Sequence, residues 1–216
     1  MKVGTDGVLL GAWANCTGNR VLDVGTGSGL IALMICQRYP AACVWAIDTN
    51  ADACSQALHN VHRSPFSERI TVLHHSYQQY FSENKFDLIV SNPPYFSNSS
   101  KAPDAQRSKA RHNDELPFEI LIKKSATLLD EKGKLALILP AVDFPAINEI
   151  ATTQHLHLSR ITRVKPTPVR PPRRVLMEFG VEKENPIESE LIIETAGHQY
   201  SDEYIALTKA FYLKME

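Results

Sequence analysis

Short runs of aliphatic and β-branched residues alternate along the chain with longer stretches of helical spacing. Arg20–Val24, Cys43–Ile47, Ile70–Leu73, Phe86–Val90 and Lys134–Leu139 are too continuously apolar to leave a polar face, so the pattern predicts strands buried on both sides. Leu30–Arg38, Ala51–Val61 and Leu116–Leu129 carry the helical pattern between them. This alternation predicts βαβ units and a mostly parallel sheet with helices on both faces. Right-handed crossovers then line up the carboxyl ends of the strands, and any ligand, along one edge.

Three segments break the rhythm. Phe96–Asn113 is polar and holds Lys101, Arg107, Lys109 and Arg111 against one acid, Asp104. It reads as a long surface loop, and a loop of that length inside a compact domain is expected to be functional or disordered. Val164–Pro172 contains four prolines and separates Leu156–Val164 from Arg174–Val181, which predicts an antiparallel strand pair joined by a wide loop. Ser201–Leu213 predicts a closing helix, with Ser201 as N-cap and Glu203 in the first turn. The expected fold class is therefore α/β, with a seven-stranded, mostly parallel sheet ending in an antiparallel pair.

Composition changes this picture little. The 216 residues are 44% hydrophobic and 22% charged, an ordinary globular mix, and they predict one domain over residues 1–216. The formal net charge of -1 argues against a globally basic coat protein but leaves room for a local patch. Cys16, Cys36, Cys43 and Cys54 include no C-x-x-C pair and read as buried free thiols of a reducing compartment. No metal site is expected. No apolar run approaches a membrane span and no signal sequence opens the chain, so a cytoplasmic protein is expected.

The sharpest local signal is Val21-Leu22-Asp23-Val24-Gly25-Thr26-Gly27-Ser28-Gly29-Leu30. A buried strand runs into three alternating glycines and then a helix, so backbone amides can approach a ligand with no Cβ in the way. Asp48 closes the next strand, where an acid about 20 residues beyond such a loop can accept hydrogen bonds from ribose hydroxyls. Two features point away from a dinucleotide. Leu30 stands where the dinucleotide fingerprint has Gly or Ala, and Asp23 would repel a pyrophosphate but suits a cationic amino-acid group. The loop resembles the S-adenosylmethionine loop of Rossmann-like methyltransferases.

Ser91-Asn92-Pro93-Pro94-Tyr95 directly follows the fourth strand, at the ligand edge. An exocyclic amine conjugated to a base or acyl group is a poor nucleophile, because its lone pair is delocalised. The Asn92 side-chain oxygen and the Pro93 carbonyl can each accept one N–H of such an amine and turn its lone pair towards a methyl donor. The prolines hold these acceptors ready for the charge that develops on nitrogen. Tyr95 offers a face for a flipped-out base. His74, His75 and His112 read as structural rather than as bases.

From Ala151 to Met177 the chain has no acid but carries Arg160, Arg163, Lys165, Arg170, Arg173 and Arg174. This stretch reads as a phosphate-binding patch, and the Lys101–Arg111 loop as a second clamp. A solvated charged face is the competing reading.

Taken together these motifs resemble the bacterial tRNA (adenine-N6)-methyltransferases that modify the valine tRNA at adenosine 37, beside the anticodon. The similarity runs from Lys2-Val3-Gly4-Thr5 through the glycine loop and Asn92-Pro93-Pro94-Tyr95 to Ala110-Arg111-His112. It continues through Pro171-Pro172-Arg173-Arg174 and the closing Ala206–Leu213. The resemblance implies a class I S-adenosylmethionine methyltransferase fold. It implies that Asp23, Gly25, Gly27, Gly29 and Asp48 bind S-adenosylmethionine and that Thr5 flanks the cofactor's methionine end. Ser76 stands where such families often carry an acid for the cofactor's adenine. Asn92, Pro93 and Tyr95 would hold the target base. Lys101, Arg111, Lys165, Arg170, Arg173 and Arg174 would bind the RNA, with the protein acting as a monomer. The segment before Lys2 is expected to be shorter than in such relatives. Methylation of a protein glutamine or of a guanine N2 in rRNA uses the same tetrapeptide, so both stay open, with DNA adenine methylation behind them. An inactive RNA-binding module and a nicotinamide oxidoreductase fit the intact motifs less well.

Overall fold

The computed structural model describes residues 4–94, 116–196 and 199–213. Its strands are β1 (Arg20–Val24), β2 (Cys43–Asp48), β3 (Ile70–His74), β4 (Phe86–Ser91), β5 (Leu129–Pro140), β6 (His157–Lys165), β7 (Arg174–Gly180) and β8 (Ile187–Ile192). They form one sheet in the order β3-β2-β1-β4-β5-β7-β6-β8. Pairing is parallel from β3 to β5, then antiparallel between β5 and β7 and between β7 and β6. The helices are α1 (Thr5–Trp13), α2 (Leu30–Arg38), α3 (Ala51–His62), α4 (Phe118–Leu128), α5 (Phe144–Thr153) and α6 (Asp202–Thr208).

The pleat explains why the strands read as unbroken apolar runs. Val21, Leu88, Val90, Ala136 and Ile138 face one side, where they pack with Leu9 and Leu10 of α1, Ile31 and Ile35 of α2 and Tyr204 of α6. Their neighbours Leu22, Ile89, Leu135 and Leu137 face the other side, against Leu121 and Ile122 of α4 and Ile147 and Ala151 of α5. Successive side chains thus fill two separate cores, one above and one below the sheet.

The structure corrects three expectations. The sheet has eight strands rather than seven, because Ile187–Ile192 adds beside β6 in parallel. This strand is mostly exposed, and Glu188 and Glu190 bind Arg163 and Lys165 diagonally across the ladder at 2.7 and 2.9 Å. Held by charge pairs at an edge rather than by a buried face, it lacks the apolar run that marked the others. Cys43, expected to be buried, is exposed where β2 begins, while the other three thiols are buried and all four are free. The closing helix is shorter than expected: α6 ends at Thr208, and a 3₁₀ turn over Lys209–Phe211 follows. Its cap is as read, since Ser201 Oγ accepts from the Tyr204 amide at 3.1 Å. No helix among the described residues is long and apolar enough to cross a membrane.

Two further helices lie outside the segments the sequence pattern marked as helical, and only the first lacks helical spacing. Every residue of α1 from Gly7 to Trp13 is buried, so no polar face marks it as a helix. Its C-terminal end is fixed to the distant strands. Trp13 Nε1 donates to Thr162 Oγ1 at 2.9 Å, and the Arg160 guanidinium lies 3.6 Å from the Trp13 ring centre. The second, α5, starts at the Phe144-Pro145 step after β5 and does carry helical spacing, with Phe144, Ile147, Ile150 and Ala151 turned to one core.

Candidate active site

At the carboxyl end of β1 the chain turns through Gly25, Gly27 and Gly29 with φ of +73°, +59° and +79°. These are left-handed conformations that any Cβ would strain. The turn is fastened to β2 from two directions. The Gly25 and Thr26 amides donate to the Ile47 carbonyl at 2.9 and 3.0 Å. The Gly27 amide donates to Asp48 Oδ2 at 2.9 Å, while Asp48 Oδ1 accepts from the Asn50 amide, also at 2.9 Å. Asp48 therefore holds the loop itself, and each of its oxygens keeps a lone pair for a further donor.

Asp23 lies beneath this turn, fully buried. Thr26 Oγ1 donates to its Oδ2 at 2.6 Å, and Oδ1 has no hydrogen-bond partner among the described residues. Burial pushes its carboxyl up to about 7, against the lowering effects of the Thr26 hydroxyl and the Ala32 amide. Asp23 does not itself line the neighbouring cavity, and a buried acid with one open oxygen is the kind of group a cationic or hydrogen-bonding ligand atom can complete.

The neighbouring strand brings the second motif to the same place. Ser91, buried at the end of β4, donates its hydroxyl to the Val24 carbonyl at 2.8 Å. This bond ties the start of Asn92-Pro93-Pro94 to the residue before Gly25. Gly25, Gly27, Asp48, Ser76, Asn92 and Pro93 line one cavity of about 540 Å³. Gln78 and Leu116 also line it, and sequence reasoning missed them, because neither belongs to a motif and both are brought in by loops. His75 lines it too, with its amide donating to the Asp48 carbonyl at 2.9 Å. Gly29 packs instead against Ala57 of α3, where a Cβ would come within 3.3 Å. Thr5, exposed, starts α1 and is not among the lining residues. Tyr95, Lys101 and Arg111 lie outside the described residues.

The basic stretch is divided by the structure. Arg160 makes two hydrogen bonds to Glu178, at 2.9 and 2.8 Å, Arg163 pairs with Glu188 and Lys165 with Glu190. Arg174 Nε lies 3.0 Å from Asp6 Oδ2 in the first turn of α1. The acids missing from the stretch itself are thus supplied by β7, β8 and α1. Arg170 and Arg173, both exposed, have no carboxylate partner among the described residues. They occupy the loop between β6 and β7, which opens on the same edge of the sheet as the cavity.

Residues 3–143 match the family model of the methyltransferase small domain. Over its whole length the chain is 46% identical to a tRNA1(Val) (adenine(37)-N6)-methyltransferase of Bacteroides fragilis, covering 92% of that protein. It is 48% identical to the protein of the same description from Parabacteroides distasonis, again over the whole chain and 92% of the relative. Among solved structures, a predicted O-methyltransferase from Agrobacterium tumefaciens superposes with a TM-score of 0.73 at 20% identity, covering 95% of this chain and 96% of that one. A ribosomal protein L11 methylase from Lactobacillus delbrueckii gives a TM-score of 0.57 at 20% identity, over 82% and 77% of the two chains. The structural likenesses establish the fold, that of class I methyltransferases.

Proposed function

The chain belongs to the tRNA1(Val) (adenine(37)-N6)-methyltransferase family, and from that membership we propose that it methylates N6 of adenosine 37 in the valine tRNA with S-adenosylmethionine as donor. The observation that carries the reading is the Ser91–Val24 hydrogen bond, which sets Asn92-Pro93 beside the glycine turn at one cavity.

The residues present fit the donor. The open Oδ1 of buried Asp23 suits the ammonium of its methionine portion, and the uncrowded Gly25 lets that portion lie close to the backbone. Asp48 is positioned to accept from ribose hydroxyls, and Ser76 from an adenine amine. When bound, S-adenosylmethionine supplies an electrophilic sulfonium methyl group. The Asn92 side-chain oxygen and the Pro93 carbonyl accept the two N–H bonds of the adenine amine, which frees its lone pair from the ring. Charge that builds on nitrogen meets these oriented acceptors, no base has to act before transfer, and the methylated amine gives up its extra proton to solvent afterwards. Tyr95 would stack on the extruded base. On the RNA side Arg170 and Arg173, without a carboxylate partner among the described residues, are the better-placed phosphate contacts, with Lys101 and Arg111 as a second clamp. Lys165 and Arg174 would reach phosphate only by sharing charge with Glu190 and Asp6. The reading carries with it a cytoplasmic, monomeric protein.

The test is incubation of purified protein with S-adenosylmethionine and unmodified tRNA1(Val), followed by nuclease digestion and mass spectrometry. A single N6-methyladenosine in the fragment containing position 37 is expected. Methyl on a guanine N2, or none on RNA but transfer to a glutamine-containing protein, would overturn the reading.

A further inference from the structure

Two valines at the ligand edge of the sheet are turned almost wholly to water: Val142 is 85% exposed and Val169 is 90% exposed. Single exposed apolar residues are common and need no explanation. These two belong to adjoining loops. Val142 lies in the 3₁₀ turn Ala141–Asp143 that ends β5, and the Ala141 amide donates to the Arg173 carbonyl at 3.1 Å. Val169 lies at the tip of the β6–β7 loop, inside the Thr167–Arg170 turn, whose Arg170 amide donates to the Thr167 carbonyl at 3.2 Å. Pro166, Pro168, Pro171 and Pro172 flank that tip. Prolines fix φ, so the loop holds its exposed side chains with little freedom left to lose on binding.

The charge beside them is as selective as the shape. Asp6 pairs with Arg174, and the same guanidinium acts on Asp143, while Glu190 at the end of the sheet pairs with Lys165. Arg170 and Arg173 are exposed with no carboxylate partner among the described residues, in the same two adjoining loops as the exposed valines. Neighbouring strands are about 4.8 Å apart, and β5, β7 and β6 lie one to three strands from β4, so this surface begins close beside Asn92. Unpaired RNA offers what such a surface takes: flat base faces for apolar contact and phosphates for guanidinium groups.

Resting on the tRNA reading above, we propose that Val142, Val169, Arg170 and Arg173 form the platform for the unpaired anticodon-loop nucleotides that flank the target adenosine. The valines bear base faces, and the arginines neutralise the adjoining phosphates.

The two kinds of contact separate in a salt series. Fluorescence anisotropy with a tRNA1(Val) transcript compares wild type, Val142→Ala/Val169→Ala and Arg170→Ala/Arg173→Ala. The valine pair should weaken binding about tenfold at every salt concentration with the slope unchanged, because apolar contact releases no counterions. The arginine pair should lower the slope by roughly 0.7–0.9 per residue. Both variants should keep wild-type affinity for S-adenosylhomocysteine and the wild-type melting temperature, because all four side chains are exposed. Wild-type tRNA affinity in the valine pair, while the wild-type protein methylates that tRNA, removes the platform and leaves the function standing. A wild-type dimer that the valine pair dissociates hands the surface to a second copy and overturns the proposal. A wild-type protein that neither binds nor methylates the tRNA overturns the functional reading, and the platform with it.

Discussion

The half of the sheet built from β1 to β4 and the half built from β5 to β8 each bury a carboxylate, and they treat it in opposite ways. In the first, Asp23 accepts from Thr26 on Oδ2 and is favoured by the Ala32 amide, but its Oδ1 has no hydrogen-bond partner among the described residues. In the second, Glu178 on β7 is met on both oxygens. Arg160 donates to each of them, and the Asn15 amide adds a bond to Oε1 at 2.9 Å. A buried charge fully paired inside the chain serves the fold, here by fastening the end of α1 to β6 and β7. A buried charge left partly unpaired costs stability and is retained where a ligand completes it.

The comparison breaks most visibly on stability. Glu178→Ala leaves Arg160 without its carboxylate and should cost about 3–5 kcal/mol in chemical denaturation. Asp23→Asn should cost little, because it removes an incompletely satisfied charge, yet weaken S-adenosylhomocysteine roughly 10–100-fold in calorimetry. Equal losses of stability in the two variants would make Asp23 a structural acid like Glu178.

pH sharpens the contrast. Asp23 titrates at about 7 in the folded chain against an ordinary 3.8, so the folded state keeps a proton that the unfolded state has released. Its contribution to stability is fully present below the unfolded value and is lost as pH rises to about 7. Wild type should therefore lose stability between pH 4 and 7 relative to Asp23→Asn, measured by denaturation at each pH. A cationic ligand needs the ionised acid, so S-adenosylhomocysteine should bind about tenfold more weakly at pH 6 than at pH 8. A pH-independent affinity would remove Asp23 from the ligand's reach.

The smallest effects separate two adjacent arginines. Arg174 ties the first turn of α1 to β7, and in that turn a Cβ on Gly7 would come within 3.2 Å of Leu30, the residue after the glycine turn. Arg174→Ala should loosen that turn and weaken S-adenosylhomocysteine about threefold, leaving the salt dependence of tRNA binding unchanged. Arg173→Ala should do the reverse. The same salt response in both variants would return Arg174 to the phosphate contacts.

The first half of the sheet was legible because its chemistry is local. Three glycines that must adopt positive φ, an acid ending each of two strands and a tetrapeptide at a strand end all lie within short spans of sequence. The second half was legible only in outline. The pair β6 and β7 could be read from two apolar runs about a proline loop, but β8 is held by Glu188 and Glu190 through partners on β6. The sharing of the basic stretch between structure and surface was hidden for the same reason. Asp6 reaches Arg174 across 168 positions, and no local pattern foretells such a pair. The helix α1 escaped because burial on all sides erased its periodicity.

The chemistry assigned to Asn92 is tested most directly by single-turnover methyl transfer to tRNA1(Val) with both substrates saturating. Asn92→Ala should slow transfer by about 10²–10³, the loss expected when one oriented hydrogen-bond partner of a developing charge is removed. Its affinity for S-adenosylhomocysteine should stay at the wild-type value, because in the proposed arrangement the amide oxygen accepts from the target amine rather than from the donor. A near-wild-type transfer rate in Asn92→Ala would contradict the account.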